Sequence, residues 1–429
     1  MKGIAAFLSL FITFFPLVRP NAAATGLNCI VDILAKQGFT AIHLSRCPDD
    51  MLVIAYENRA FRNEVLAAGV VMAAAAETAS DSCRILLMPH RNGIPMGRVA
   101  VAVSAYRSFM AGRIDAKNFA ESLDFKGMDR SPDEGSVVQG PRMWPLADLT
   151  IHPGFTVQFG NYDDPAKINL GLVPELTLDV WRGGSVSGRM FFPLYDELKI
   201  YSLEPRLVRL TLSQTLNVSR YWFFARIGVY EPDRWGMALE GLRFLFSRSV
   251  LIGGKAEYTG FFLNQESMIK YSSWETVTGQ LYTTYFAPRY DLMMRLAYNK
   301  YLFSEKGPSF MISRKFADIE IGLLAAKTNI DEFGGIILKV PLAPQKSANP
   351  QRLRMRLPEQ HTWKYESTSL AHTQGQTVQT GIGITSGIEA IEWFRFFVPS
   401  YIKNNISLWV HARQWTGDQA IQQKIERCR

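Results

Sequence analysis

The sequence predicts a mainly β fold, an antiparallel transmembrane β-barrel of about twelve strands preceded by a small α+β domain. Three observations carry that expectation. Apolar and polar residues alternate with a period of two over most of residues 151–342, the mark of strands with one greasy and one wet face. The runs hold about 9–14 residues, which suits a tilted membrane crossing better than the usual globular strand of about 5–6. Long and short connections also alternate along the run, as in barrels with tight turns on one side of a membrane and looser loops on the other.

The elements follow in chain order. Residues 1–24 read as a secretory signal peptide: Lys2, an apolar run from Ile4 to Val18, and the small residues Ala22, Ala23 and Ala24. An uncleaved anchor helix is the alternative, but the run is shorter than the roughly 20 residues that a span needs. Residues 27–125 form the small periplasmic α+β domain. Helices are expected at 29–36, 63–78 and 105–113, with Asn63 as an N-cap, and strands at 41–45, 51–56, 83–88 and 99–103. Residues 126–150 collect charge, Gly and Pro and read as a linker. An exported chain permits disulfides. Among Cys29, Cys47, Cys83 and Cys428, the pair Cys47 and Cys83 is favoured, because both lie at strand ends in one small domain. A zinc site needs closer cysteine spacing.

In the barrel region, Leu176, Leu178 and Val180 alternate with Glu175, Thr177 and Asp179. Leu210 and Leu212 alternate with Arg209, Thr211 and Ser213. Leu292, Met294 and Leu296 share strand 290–302 with Arg295. A secreted sandwich with a large core alternates too, yet its strands are shorter. A chain without a long apolar helix spans a bilayer only as a closed sheet, because lipid offers the backbone no hydrogen-bond partner. Aromatics such as Trp181, Tyr230, Trp235, Tyr285 and Phe303 crowd strand ends, as an interfacial girdle requires. An even strand count places the small domain and the C-terminal tail on the periplasmic side of the outer membrane of a Gram-negative bacterium. Residues 343–429 are a C-terminal extension, with further strands expected at 352–357, 393–398 and 406–410 and a polar helix at 419–429.

No catalytic set emerges. The 6 histidines are scattered, and Gly184, Ser185, Val186, Ser187 and Gly188 place Val at the centre of what would otherwise be a nucleophile elbow. Gly381, Gly383 and Gly387 lack the lysine of a phosphate loop. Neither metal nor cofactor is expected. The net charge of +8 does not point to nucleic acid in an exported chain. The candidate substrate-binding residues are charges in predicted strands: Arg209, Arg226, Lys255, Glu257 and Arg295. On the lipid side each would cost about 2–4 kcal/mol, so Arg209, Lys255, Glu257 and Arg295, all on the polar phase, face the lumen, while both faces near Arg226 are aromatic-rich. With Tyr221, Trp222, Tyr282 and Tyr290 nearby, such a lumen suits an acidic polysaccharide, arginines pairing carboxylates and rings stacking on sugars. The bland alternative is that these charges fill the interior with mutual ion pairs.

Several segments carry a resemblance. They are Tyr56-Glu57-Asn58-Arg59-Ala60-Phe61-Arg62-Asn63-Glu64; Gly228 to Glu231 with Trp235 to Phe244; Ser313 to Ala317; and Asp331 to Gly335. Together, over about 27–370, they resemble the YjbH-like (GfcD-type) exopolysaccharide-biosynthesis outer-membrane proteins. Ala238 and Leu239 stand where glycines are expected, and the members compared carry an extra barrel-like portion ahead of the small domain. The resemblance implies a non-enzymatic barrel in making or exporting an extracellular polysaccharide. Its partners would be outer-membrane lipid and other exopolysaccharide-assembly proteins, one of which supplies the missing portion. The rivals are an outer-membrane enzyme acting on lipid or glycan, and a structural barrel whose small domain docks a periplasmic partner.

Overall fold

The computed structural model describes residues 25–47, 50–125, 136–139, 146–159, 166–197, 204–246, 248–265, 268–347, 353–368 and 394–416. The signal peptide, most of the linker, Gly381 to Gly387, Cys428 and the polar helix at 419–429 lie outside them. The fold is mainly β and holds two sheets.

The first sheet has six strands. In chain order the elements are α1 (Thr25–Gln37), β1 (Phe39–Cys47), β2 (Met51–Asn58), α2 (Glu64–Ala76), β3 (Arg84–Arg91), β4 (Ile94–Pro95), β5 (Val99–Ala102), α3 (Val103–Met110), α4 (Ala116–Ser122) and β6 (Ser136–Gln139). The order is β4-β3-β2-β1-β6, with β5 also on β3. β2 and β3 run parallel, so a crossover is required, and α2 supplies it. Asn63 caps α2 as expected, its side chain accepting from the backbone of Val65 at 2.9 Å and of Leu66 at 3.3 Å. Residues 136–139 pair with β1, so part of the expected linker is a strand of this sheet.

Eleven of the thirteen α2 residues are buried. A helix that is apolar all round needs cover on every side, and the C-terminal segment gives it. There the chain forms two helices, α5 (Pro399–Asn404) and α6 (Leu408–Thr416), where strands were expected at 393–398 and 406–410. Short apolar runs are ambiguous in period. Here Pro399 starts a helix, and Trp409 and Ala412, three apart and both fully buried, form one helical face. That face lies on α2 at Gly69, where a Cβ would stand 2.8 Å from the Trp409 ring.

The expected Cys47–Cys83 disulfide is absent; both are free thiols. Cys47 pairs with Met51 and Met51 with Arg84, so β2 separates the two cysteines. Two strand spacings, about 9.6 Å, exceed the Cα separation of roughly 4.4–6.8 Å that a disulfide spans. Burial pushes the Cys83 thiol above its ordinary pKa. Cys29 is the disulfide-bonded cysteine.

The second sheet has fifteen strands. They are β7 (Leu146–Phe159), β8 (Ala166–Trp181), β9 (Gly184–Asp196), β10 (Arg206–Val218), β11 (Tyr221–Tyr230), β12 (Arg234–Leu245), β13 (Val250–Gln265), β14 (Met268–Tyr271), β15 (Thr276–Ala287), β16 (Leu292–Lys300), β17 (Lys306–Phe316), β18 (Ile319–Lys327), β19 (Glu332–Pro341), β20 (Leu353–Arg356) and β21 (Gln360–Thr368). β7 to β13 and β15 to β19 are the twelve expected strands. β14 extends β13 as a hairpin. Each long strand pairs antiparallel with the next; β21 pairs antiparallel with β19, and β20 lies parallel to β7. Among the described residues these pairings form an open path and not a ring.

The burial of this sheet is inverted. On β10, Arg209, Thr211 and Ser213 are buried, while Leu210, Leu212 and Leu216 are 43–50% exposed. On β15, Thr278 and Thr284 are buried and Leu281 is 71% exposed. The apolar phase read from the sequence is the outward face, and the polar phase is covered.

Candidate functional site

The connections on one side of the large sheet are 182–183, 219–220, 246–249, 288–291 and 317–318, two to four residues each, whereas the other side reaches 160–165, 197–205 and 301–305. Alternate strand ends share one side of an antiparallel sheet, so the short turns cluster there. The six-stranded sheet and the C-terminal helices meet them. Gly183, at a positive φ of 71°, donates its N–H to the Asn92 carbonyl at 2.8 Å. Arg248 donates to the Met96 carbonyl at 2.8 Å. Asn404 donates to the Pro288 carbonyl at 3.0 Å. Arg62 pairs with Asp318. The two sheets share one apolar cluster, in which Phe394 packs on Trp222, Phe224 and Phe244.

The joint is the segment 56–64. β2 delivers Glu57, whose carboxylate accepts from the Asn92 N–H at 2.7 Å. Asn58 then turns the chain by accepting from the Phe61 N–H at 2.9 Å. That turn aims Arg59, 6% exposed, between Asp148 of β7 at 2.6 Å and Asp179 of β8 at 3.2 Å. Arg354 of β20 forks onto the same Asp148 at 2.6 and 2.9 Å. Burial raises the Glu57 and Glu64 carboxyls, the latter to about 8, where Glu359 and Glu57 push it up and Arg91 and Asn58 pull it down.

Between this segment and the covered face of the large sheet lies a cavity of about 330 Å³. Its lining holds seven carboxylates (Glu57, Glu64, Asp148, Glu175, Asp179, Asp318, Glu359) and seven Arg or Lys side chains (Arg59, Arg62, Arg91, Arg189, Lys315, Arg354, Arg356). The balance leaves no basic funnel. Glu175 gathers His152 at 3.0 Å, Arg189 at 2.5 Å and Arg209 at 3.0 Å.

Of the predicted residues, all five lie on the covered face. Arg209, 1% exposed, belongs to the Glu175 cluster. Arg226 lies 3.9 Å from Glu240, which accepts from the Tyr282 hydroxyl at 2.7 Å, and Arg295 stacks 4.0 Å over the Tyr282 ring. Lys255 pairs with Glu257, which also accepts from Thr278. Lys255, Glu257 and Arg295 line a second cavity of about 110 Å³, and Arg209 is not part of it. The sequence reading missed Arg59, Asp148, Asp179, Arg354 and Glu359. Arg59 stood in the motif segment, and Arg354 and Glu359 in the strand expected at 352–357 or just beyond it; their meeting depends on the fold. Among the described residues no group of three or more His, Cys, Asp or Glu side chains is placed to hold a metal ion, and no helix is long and apolar enough to cross a membrane.

Residues 18–218 match the YjbH family model, described as exopolysaccharide biosynthesis protein YbjH. The match spans the six-stranded sheet, the 56–64 joint and the large sheet through β10. No curated protein matches the chain.

Proposed function

We propose that the protein is an outer-membrane β-barrel, plugged at its short-turn end, that serves exopolysaccharide assembly or export. The observation that carries the reading is the inverted burial. A sheet with leucines outward and arginines inward is stable where the outside is hydrocarbon. Closure is supported by chain length. Only residues 357–359 join β20 to β21, so the two edge strands come within about 14 Å. Fourteen strands laid flat would put those edges about 60 Å apart. The sheet therefore curls on itself, with β20 and β21 as one broken thirteenth stave. An odd count requires the last stave to run parallel to the first, as β20 runs to β7. The six-stranded sheet sits on the short-turn side, the periplasmic side of such barrels.

The exopolysaccharide role rests on the family match. The test has two readouts. Unheated protein in detergent should migrate faster on a gel than heated protein, and deletion of the gene should abolish the secreted polymer while export-dead controls keep it cell-bound. A protein that fractionates as soluble, or a strain that secretes polymer normally, overturns the reading. The filled short-turn end favours a second reading, a scaffold barrel whose capping sheet docks a periplasmic partner. Conductance in liposomes separates the two: a conduit conducts once the Arg59 joint is cut, whereas a scaffold stays closed.

A further inference from the structure

The wall has a weak line. Neighbouring long strands pair over eight to fourteen positions, but β20 and β7 pair over only four, Leu353–Arg356 with Ala147–Thr150. Among the described residues, β7 beyond Thr150 pairs only with β8, and β21 pairs only with β19. The sequence explains the stop. Pro153 on one strand and Pro358 on the other lie just past the last pair, and neither has an N–H to extend a ladder. The charged cavity lies directly behind this line, lined by Thr150 and His152 from β7 and by Arg356, Gln360 and Thr362 from the other edge. Two buried nitrogens there meet no hydrogen-bond partner, the acceptor His152 Nδ1 and the donor Arg356 Nε, as expected where a ligand or solvent completes the set. Outside the line the surface is apolar: Leu353, Met355 and Leu357 are 48–68% exposed and Phe155 43%.

We propose that the β7/β20–β21 seam is a lateral slit through which an amphiphilic lipid places its headgroup in the charged cavity while its acyl chains remain among the apolar side chains outside. Carboxylates and cations are interleaved along the cavity wall, which suits a headgroup that carries both signs. A zwitterionic phosphoethanolamine sets its phosphate against Arg356 and its ammonium against carboxylates such as Asp148. The proposal rests on the barrel reading above.

The test uses the full chain in vesicles of phosphatidylethanolamine, with a benzophenone side chain at Ser213, on the wall of the charged cavity, or at Ser309, in the second cavity. Headgroup-labelled phosphatidylethanolamine and labelled lipopolysaccharide are compared as probes. Irradiation should label the Ser213 position with phosphatidylethanolamine severalfold above the Ser309 position. A Phe155→Cys/His361→Cys pair, in a Cys47→Ser/Cys83→Ala background, bridges positions the ladder would match if it continued. Bridged by oxidation or by a bifunctional maleimide, it should lose the labelling, and the unbridged thiols should keep it. Equal capture at the two positions, no capture, or capture indifferent to the bridge overturns the slit. Preferred capture of lipopolysaccharide overturns the zwitterionic headgroup. Heat-modifiable mobility is read on the same samples, so a protein that is a barrel yet captures nothing fails this proposal alone.

Discussion

The two sheets of this protein solve the same alternation in opposite ways. In the six-stranded sheet, Leu44, Ile54, Ile85 and Leu87 are fully buried, and helices cover one face. In the large sheet, Arg209, Glu257 and Lys339 are 1–4% exposed while Leu239, Leu296 and Leu323 stand more than half exposed. Strand period alone says that two faces differ; it does not say which one is covered. What differs is what lies outside, water in one case and, under the proposed function, acyl chains in the other. The comparison also locates the place of greatest tension, the joint where an apolar-cored sheet meets a charge-lined one.

That joint should give the largest effect. Arg59→Ala leaves Asp148 to Arg354 and Arg356 but strips Asp179 of its ion pair. Removing one member of a buried pair costs about 3–5 kcal/mol, so the melting temperature should fall sharply and protease should reach the capping sheet first. Arg59→Lys should not restore it, because Asp148 and Asp179 are met by two separate nitrogens of the planar guanidinium, a spread that a single ammonium nitrogen does not reproduce. An unchanged melt would show that the sheets are held together elsewhere.

The outward leucines give the next effect and sharpen the contrast itself. Leu281→Arg replaces a 71% exposed side chain on β15. In water such a change is neutral or improves solubility. In a bilayer it costs about 2–4 kcal/mol near the midplane, readable as a shifted urea midpoint for refolding into vesicles. A midpoint unmoved in lipid would place the outer face of this sheet in water.

The legible part of the fold was the part governed by local rules. Asn63 announced a helix start, the alternation marked twelve strands, and the polar phase of Arg209, Lys255, Glu257 and Arg295 is the covered face, where Arg226, set between two aromatic-rich faces in the sequence, also lies. The failures share a cause. Cys47 and Cys83 were paired only because both lie at strand ends in one small domain, and strand ends alone do not say that β2 lies between them. Residues 406–410 read as strand because the helical period of Trp409 and Ala412 spans barely two turns and their partner, Gly69, lies more than 300 residues away. The seven carboxylates and seven cations of the cavity were out of reach, since they come from β2, the 59–62 joint, α2, β3, four strands and one turn of the large sheet, and residues 354–359.

The smallest effect is a pH dependence at the boundary between the regions. Glu64 begins α2, and burial outweighs Arg91 and the Asn58 side chain to hold its carboxyl up at about 8, with Glu57 and Glu359 pushing the same way. Its ordinary value is 4.5, so between those limits the folded state keeps a proton that the unfolded chain has released. Stability must therefore fall as pH rises through that window. Below pH 4.5 both states are protonated and the dependence vanishes; above 8 the loss is complete. Glu64→Gln keeps the shape and never ionises, so its melting temperature should stay flat where the wild type declines. Glu359→Gln, which removes a carboxylate donated by the large-sheet side, should move the wild-type decline to lower pH. Were both variants to track the wild type across that range, the carboxyl would be solvated, and the two sheets would be less closely apposed at Glu64 than the cavity between them requires.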